Sequence, residues 1–253
     1  MKKSSSPKPS LIRKPEKAAI FIPTNLPIDD PRDISDRSIA RFKTGMEMVR
    51  KLRRERGRAN VLLVVFGGWP LHKRLPLSVH HAYAAIKKHQ LLDTSELDLL
   101  VSYGVNTVTD LHGTLEWMKE HVLDVNEAYV ATSKGHADRL VAESDMHTLF
   151  DKIYHIESNE QREHLDEDRH WSLRAKSVPS HQYIVGGRAS DVTRFGSSTS
   201  LEWAAKMGKW AEANPLDYRE YTDNIWRLVE ELEANNVMVR SRTPGAWHLD
   251  INC

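Results

Sequence analysis

The sequence predicts an α/β protein in which helices cover both faces of a mostly parallel, five-stranded sheet. Three observations support this class: short apolar runs rich in β-forming residues, amphipathic stretches with apolar residues every three or four positions, and regular alternation of the two. Such alternation favours right-handed βαβ crossovers, which place helices on both sides of a parallel sheet. The five predicted strands are residues 18–22, 61–66, 97–101, 127–131 and 152–156.

The first strand–helix–strand unit has the clearest pattern. Residues 18–22 (AAIFI) are apolar and rich in β-forming side chains, and Pro23 ends this run. Residues 36–56 place their apolar side chains on one face of a helix. Residues 61–66 (VLLVVF) are apolar throughout, as a strand covered on both faces must be, and the glycines of residues 67–70 end it. These residues predict two buried, parallel strands joined by a helix.

The same alternation continues to residue 156. A helical pattern separates each further pair of predicted strands, and the stripe of apolar residues over 107–122 is the most regular of these patterns. Because a helix lies between every two strands, we expect the five strands to be parallel neighbours. The other predicted helices of this part cover residues 78–88 and 134–143.

Composition changes on either side of this α/β segment. Residues 1–16 are basic and polar and predict a disordered tail, whereas residues 17–157 predict the α/β domain. Residues 158–253 predict a mainly helical extension that packs on the core or covers the site. Residues 182–185 within it are compatible with an extra strand. The sequence leaves the role of this extension and the oligomeric state open.

Composition also excludes several classes of protein. Lysine and arginine number 36 against 35 acidic residues, so the whole chain offers no electrostatic basis for nucleic-acid binding. The single cysteine, Cys253, excludes a disulfide framework and cysteine-rich zinc modules. The histidines at positions 72, 80, 81 and 89 match no zinc spacing, so we expect no metal site. No apolar run is long enough to span a bilayer, and the basic tail lacks the apolar centre of a signal peptide, which predicts a soluble, cytoplasmic protein.

Four segments that follow predicted strands are candidates for a ligand site. Ligands of open α/β sheets bind beyond the carboxyl ends of the strands, where helix N-termini present free N–H groups. The sequence has neither the glycine-rich dinucleotide fingerprint nor a P-loop. The candidate ligand-binding residues after the first three strands are Thr24, Asn25, Gly67, Gly68, Asn106, Thr107 and Asp110.

Two of these segments also have ordinary structural explanations. Gly67 and Gly68 would let the backbone approach a ligand, but they also suit a tight turn at the end of a strand. Thr107 opens a predicted helix and is equally suited to an N-cap. The sequence alone leaves both alternatives open.

The fourth segment carries the residues best suited to chemistry. Ser133 is placed to cap a helix, and His136 and Arg139 lie three residues apart on one face near its start. Arg139 would bind an anion there with the help of the helix dipole. His136 would act as general acid or base, because an unperturbed imidazole titrates near neutrality. With no GxSxG motif and no cysteine near these residues, we expect no covalent catalysis.

Taken together, these motifs resemble the YdcF/SanA/ElyC-like bacterial domain of unknown function over residues 17–157. The resemblance implies a Rossmann-like three-layer fold with a pocket built by these loops. It implies S-adenosylmethionine binding for one branch and a role in the cell envelope for others. The matching residues are Arg41, Gly67, Gly68, Asn106, Thr107, Thr132, Ser133, His136 and Arg139.

The sequence departs from that family at two loops. Pro23, Thr24 and Asn25 stand where the family has a glycine-rich loop after its first strand. The family's Asn-Thr-x-Glu-Asn motif has Thr109 and Asp110 in place of its last two residues. The resemblance therefore implies the pocket without identifying its ligand.

The leading functional hypothesis is a small-molecule enzyme for an anionic ligand that is nucleotide-like or sugar-phosphate-like. The helix N-termini at Thr107 and Ser133 would hold the anion, Arg139 would clamp it, and His136 would move a proton in non-covalent transferase or hydrolase chemistry. The alternative is a non-catalytic ligand-binding or regulatory module in the same pocket, for which the resemblance implies S-adenosylmethionine. A scaffold acting through the C-terminal helices is a third possibility.

Overall fold

The computed structural model describes residues 16–24, 30, 32–67, 78–102, 107–121, 124–144, 146–159, 198–235 and 237–241. The strands are β1 (Lys17–Pro23), β2 (Val61–Phe66), β3 (Leu99–Ser102), β4 (Val125–Thr132), β5 (Lys152–Glu157) and β6 (Met238–Ser241). The helices are α1 (Asp36–Arg56), α2 (Ser78–Lys88), α3 (Thr107–His121), α4 (Lys134–Glu143), α5 (Met146–Leu149), α6 (Ser198–Ala213) and α7 (Pro215–Ala234).

The sheet confirms the predicted fold class. Every strand pair is parallel, and the strand order is β5-β4-β1-β2-β3-β6. The five predicted strands are all present, and β6 adds a sixth that the sequence analysis did not predict, by pairing with β3. Residues 182–185, whose sequence is compatible with an extra strand, lie outside the described residues.

The order of the strands creates a switch point between β1 and β4. From β1 the chain builds outward through β2 and β3, and then it returns to place β4 on the other side of β1. The connections on the two sides of this point diverge, so a crevice opens between the carboxyl ends of β1 and β4. This crevice is where ligands bind in open α/β sheets.

Helices bury both faces of the sheet. Side chains alternate along each strand, so neighbouring residues of β1 enter different cores. Ile20 and Ile22 pack in one core with Phe42 of α1, whereas Phe21 packs in the other with Leu111 of α3. The central strand β1 is therefore covered on both sides, which agrees with its uninterrupted apolar sequence.

Helix α1 lies unusually close to the two strands of the switch point. A Cβ atom on Gly45 would lie 2.6 Å from Cδ1 of Ile22 in β1 and 3.1 Å from Cβ of Ala131 in β4. Only glycine allows this approach without a shift of the neighbouring side chains. Because α1 runs opposite to the strands, Arg41, one turn before Gly45, lies beyond them at the carboxyl edge.

Charged pairs fix the opposite, amino-terminal edge. Glu127 accepts hydrogen bonds from Arg56 at 2.6 Å and Lys152 at 3.1 Å. Burial alone would raise the pKa of Glu127, but these partners hold it at about 2. Asp98 pairs with Arg53 at 2.8 Å and also accepts the backbone N–H of Leu63 at 2.6 Å. These contacts are structural, since they join α1 to the starts of the strands.

The C-terminal helices pack against the α/β part. Leu232 of α7 and the nearby Val237 are buried in the same core as Ile20. Lys87 of α2 donates a hydrogen bond to Glu231 at 2.8 Å. Helix α6 contributes Trp210, whose ring lies 4.8 Å from the guanidinium carbon of Arg32. Across the described ranges, the structure contains no helix with the length and apolar character needed to cross a membrane.

Candidate functional site

The structure describes about half of the predicted site residues in full. Thr107 and Asp110 are placed only as backbone in the first turn of α3. Asn25, Gly68 and Asn106 lie outside the described residues. The predicted residues with described surroundings are Thr24, Arg41, Gly67, Ser133, His136 and Arg139.

Thr24 and Gly67 join the carboxyl ends of neighbouring strands. The backbone N–H of Thr24 donates to the carbonyl of Phe66 at 2.8 Å, and its hydroxyl donates to the same oxygen at 3.3 Å. Gly67 has φ of 117°, and a Cβ atom there would lie 2.6 Å from the carbonyl oxygen of Thr24. The N–H of Gly67 donates a hydrogen bond to the carbonyl oxygen of Val101 in β3 at 3.0 Å. The close approach to Thr24 gives Gly67 a structural reason, while the rest of the predicted turn, residues 68–70, lies outside the described residues.

Helix α4 begins directly after β4, at the switch point. Ser133 has extended backbone angles and occupies the N-cap position, and its carbonyl accepts the N–H of Ala137 at 2.9 Å. His136 and Arg139 therefore lie in the first two turns of α4, at the positively polarised end of the helix dipole. Asp138, the acidic residue of these turns, pairs with Lys134 at 2.8 Å on the exposed side of the helix.

The imidazole of His136 is buried, and one of its two ring nitrogens contacts a neighbouring side chain. Only 3% of the residue is exposed. Its Nδ1 atom lies 2.9 Å from Oγ1 of Thr132, the last residue of β4. Within the described part of the chain, its Nε2 atom is buried and has no hydrogen-bond partner. Buried polar atoms are nearly always paired, so an unpaired one is a candidate contact for a ligand.

Three arginines surround this imidazole electrostatically. Burial holds the pKa of His136 well below its usual range, and the positive charges of Arg41, Arg139 and Arg37 lower it further. The ring is therefore neutral at pH 7, and without a ligand it can accept a proton but has none to give as an imidazolium.

Arg41 and Arg37 reach the site from α1. They are four residues apart on one helical face, and only 1% of Arg41 is exposed. Arg41 was among the predicted residues, whereas Arg37 was not. The four-residue spacing to Arg41 was the available signal for Arg37, but its use required knowing that α1 crosses both β1 and β4.

The arrangement is suited to binding an anion. Guanidinium groups from two helices and the N-terminus of α4 all act on one buried, neutral ring. Guanidinium groups offer paired N–H donors that match carboxylate and phosphate oxygens, and a low-dielectric setting strengthens such contacts. A base beside a bound anion is also a usual arrangement for proton transfer to or from a substrate.

Comparison of the chain with protein-family models, with curated proteins and with solved structures gave no match. The described residues define a Rossmann-like α/β protein with a buried, neutral histidine near three arginines at the switch point of its sheet. The resemblance to the YdcF/SanA/ElyC-like domain remains a prediction from motifs.

Proposed function

We propose that this protein is a small-molecule enzyme that binds an anionic, nucleotide-like or sugar-phosphate-like ligand between the carboxyl ends of β1 and β4. One observation carries this proposal: the buried, neutral imidazole of His136 lies in the field of Arg41, Arg139 and Arg37 at the start of a helix. The positive field of these groups and the buried Nε2 atom of the ring support a ligand that brings negative charge and an oxygen to this place.

In this proposal the arginines and the N-terminus of α4 bind the negative group. Arg139 and Arg41 provide planar N–H forks from opposite sides of the sheet, and Arg37 adds positive charge from the same helix as Arg41. A phosphate group suits such a set better than a single carboxylate, because it carries more charge and more acceptor oxygens.

His136 is the proposed general base. Its neutral ring would take a proton at Nε2 from a substrate hydroxyl or a water molecule. The bound anion offsets the positive charge around the ring, so the ring becomes more basic when the ligand is in place. This chemistry fits a non-covalent transferase or hydrolase in the cytoplasm.

The alternative proposal is a non-catalytic module that uses the same contacts to hold a ligand. For S-adenosylmethionine, the arginines would suit the carboxylate, but the same positive field would repel the sulfonium group. The observations therefore favour a ligand whose charged groups near His136 are all negative.

Native mass spectrometry of the purified protein, followed by thermal-shift and calorimetric titration, tests the proposal. The titration panel is inorganic phosphate, nucleoside phosphates, sugar phosphates and S-adenosylmethionine. We expect phosphate-bearing compounds to bind and His136→Gln to keep most of the affinity, while turnover of the substrate falls about 10²–10⁴-fold. Unchanged turnover in folded His136→Gln would remove the catalytic role and leave the binding module. A panel in which no compound binds would contradict both proposals.

A further inference from the structure

The backbone of Thr132 is held in place at the end of β4 by two contacts to its carbonyl oxygen. Thr132 is fully buried at the end of β4, and its carbonyl accepts the N–H of Ser158 at 3.2 Å. The same carbonyl lies 2.8 Å from Nε2 of His155 in β5, which donates to it. Oγ1 of Thr132 lies 2.9 Å from Nδ1 of His136. The strand thus holds the backbone of Thr132, and the contact between its Oγ1 atom and Nδ1 orients the ring of His136.

A neutral imidazole carries one proton, on either Nδ1 or Nε2. A proton on Nδ1 can be donated in a hydrogen bond to Oγ1 of Thr132, because the hydroxyl oxygen has lone pairs to accept it. At Nε2 the proton would be buried without a partner among the described residues. The positive end of an Nε2–H bond would also be repelled by the nearby guanidinium groups. A lone pair on Nε2 is instead stabilised by their positive field.

We infer that Thr132 is a positioning residue that accepts the Nδ1–H of His136 and thereby leaves the lone pair on Nε2, where the base of the anion site is needed. This inference rests on the proposed function, since the lone pair matters only if Nε2 accepts a proton from a substrate. In other enzymes a carboxylate often orients a catalytic histidine by accepting its Nδ1–H. Thr132 would play this orienting role without adding a negative charge beside the ring.

Long-range ¹H–¹⁵N correlation spectra of the ligand-free, full-length protein at pH 7 report the tautomer directly. The signals of His136 are identified by their loss in His136→Gln. We expect a protonated Nδ1 and an unprotonated Nε2 in the wild type. Thr132→Ser should keep this pattern, and Thr132→Val should shift the tautomer ratio towards Nε2–H about two- to tenfold, the equivalent of one hydrogen bond.

Thr94→Val is the matched control, because Thr94 is also buried but its hydroxyl bonds to Tyr83 instead. This variant should leave the signals of His136 unchanged. A wild-type spectrum with the proton on Nε2 would overturn the inference, even if Thr132→Val failed to fold. So would a folded Thr132→Val protein with the wild-type tautomer.

Titration with inorganic phosphate separates this inference from the proposed function. Binding of phosphate with the Nε2–H tautomer in the ligand-free protein would leave the anion site standing and remove the role of Thr132. The Nδ1–H tautomer without phosphate binding would keep the positioning of the ring and count against the anion site itself.

Discussion

Protonation of His136 in the folded protein would add a positive charge beside Arg41, Arg139 and Arg37 in a buried place. In the unfolded chain the same imidazole is hydrated and titrates near its ordinary pKa of about 6.5. The folded pKa is depressed, so above pH 6.5 the ring is neutral in both states and costs nothing. As the pH falls below about 6.5, the unfolded state gains a proton first, and the folded state loses stability.

We therefore expect His136→Gln to lessen the acid sensitivity of the fold. Between pH 7 and pH 5.5 the wild type should lose about 1 kcal/mol more free energy of unfolding than the variant, since one proton contributes at most about 1.4 kcal/mol for each pH unit. Urea unfolding of both proteins at both pH values measures this difference, and the other histidines cancel in the comparison. Equal losses would show that His136 titrates normally in the folded state.

The sequence predicted the placement of the candidate residues that lie within one short motif. Ser133, His136 and Arg139 follow a recognisable strand within seven residues, so local spacing was sufficient to place them on one helix start. Arg37 could not be found in this way, because its proximity to His136 depends on how α1 crosses the sheet. Nor could spacing show that the imidazole is neutral, since that depends on burial by distant parts of the chain.

Among the secondary-structure elements, the carboxyl ends of β1 and β2 meet in one close contact, between Thr24 and Gly67. Both Gly57 and Gly67 have positive φ angles, of 87° and 117°, which cost a side-chain-bearing residue about 1–3 kcal/mol. A Cβ atom at Gly57 would find nothing nearer than 3.8 Å, whereas one at Gly67 would lie 2.6 Å from the carbonyl oxygen of Thr24. Backbone cannot move aside as a flexible side chain can.

We expect Gly67→Ala to destabilise the protein by about 1–3 kcal/mol more than Gly57→Ala, since only the first change adds a steric clash to the strain in φ. Urea unfolding of the two variants isolates the contact, because both share the conformational penalty. Similar stabilities for the two variants would mean that Thr24 and Gly67 can separate, and that the carboxyl edge is less tightly joined than the distances indicate.

The strands differed in how far the sequence could predict them. The runs that became β1 and β2 are apolar throughout because helices cover both faces, and this leaves a clear local pattern. Strand β6 (MVRS) is only four residues long and has no such run, so its extended state depends on pairing with β3. Such a strand can be found only after its partner is known.

At the scale of the whole molecule, helix α7 shares a core with the sheet. Leu232 of α7 is fully buried in the core of the sheet, whereas Leu216 of the same helix is 79% exposed. If α7 folds as one unit with the sheet, Leu232→Ala should lower the free energy of unfolding by about 2–5 kcal/mol, the cost of a large-to-small change in a core. Leu216→Ala should change it by less than about 0.5 kcal/mol.

Denaturant unfolding monitored by circular dichroism and by tryptophan fluorescence measures both variants. A single transition seen by both probes, shifted only in Leu232→Ala, is the expected outcome. If Leu232→Ala instead left the main transition in place and produced a separate, earlier one, α7 would be an independent unit that the sheet does not need.

The binding of an anion at the switch point is the claim on which the functional account depends. Its charge-matched control is Arg54, which is exposed in the last turn of α1. Thirteen residues separate it from Arg41, or about 20 Å along the helix. Arg54→Ala and Arg139→Ala remove the same charge from the molecule, so a difference between them reports position and not net charge.

Calorimetric titration of inorganic phosphate into the wild type and these two variants is the most direct test. We expect the wild type and Arg54→Ala to bind alike, and Arg139→Ala to bind more weakly by about 1.5–3 kcal/mol, the contribution of hydrogen bonds to a charged group. Arg139→Lys should recover part of this loss, because an ammonium group lacks the guanidinium fork. Equal affinity of the wild type and Arg139→Ala for phosphate, or no binding by the wild type, would contradict the assignment of the anion site.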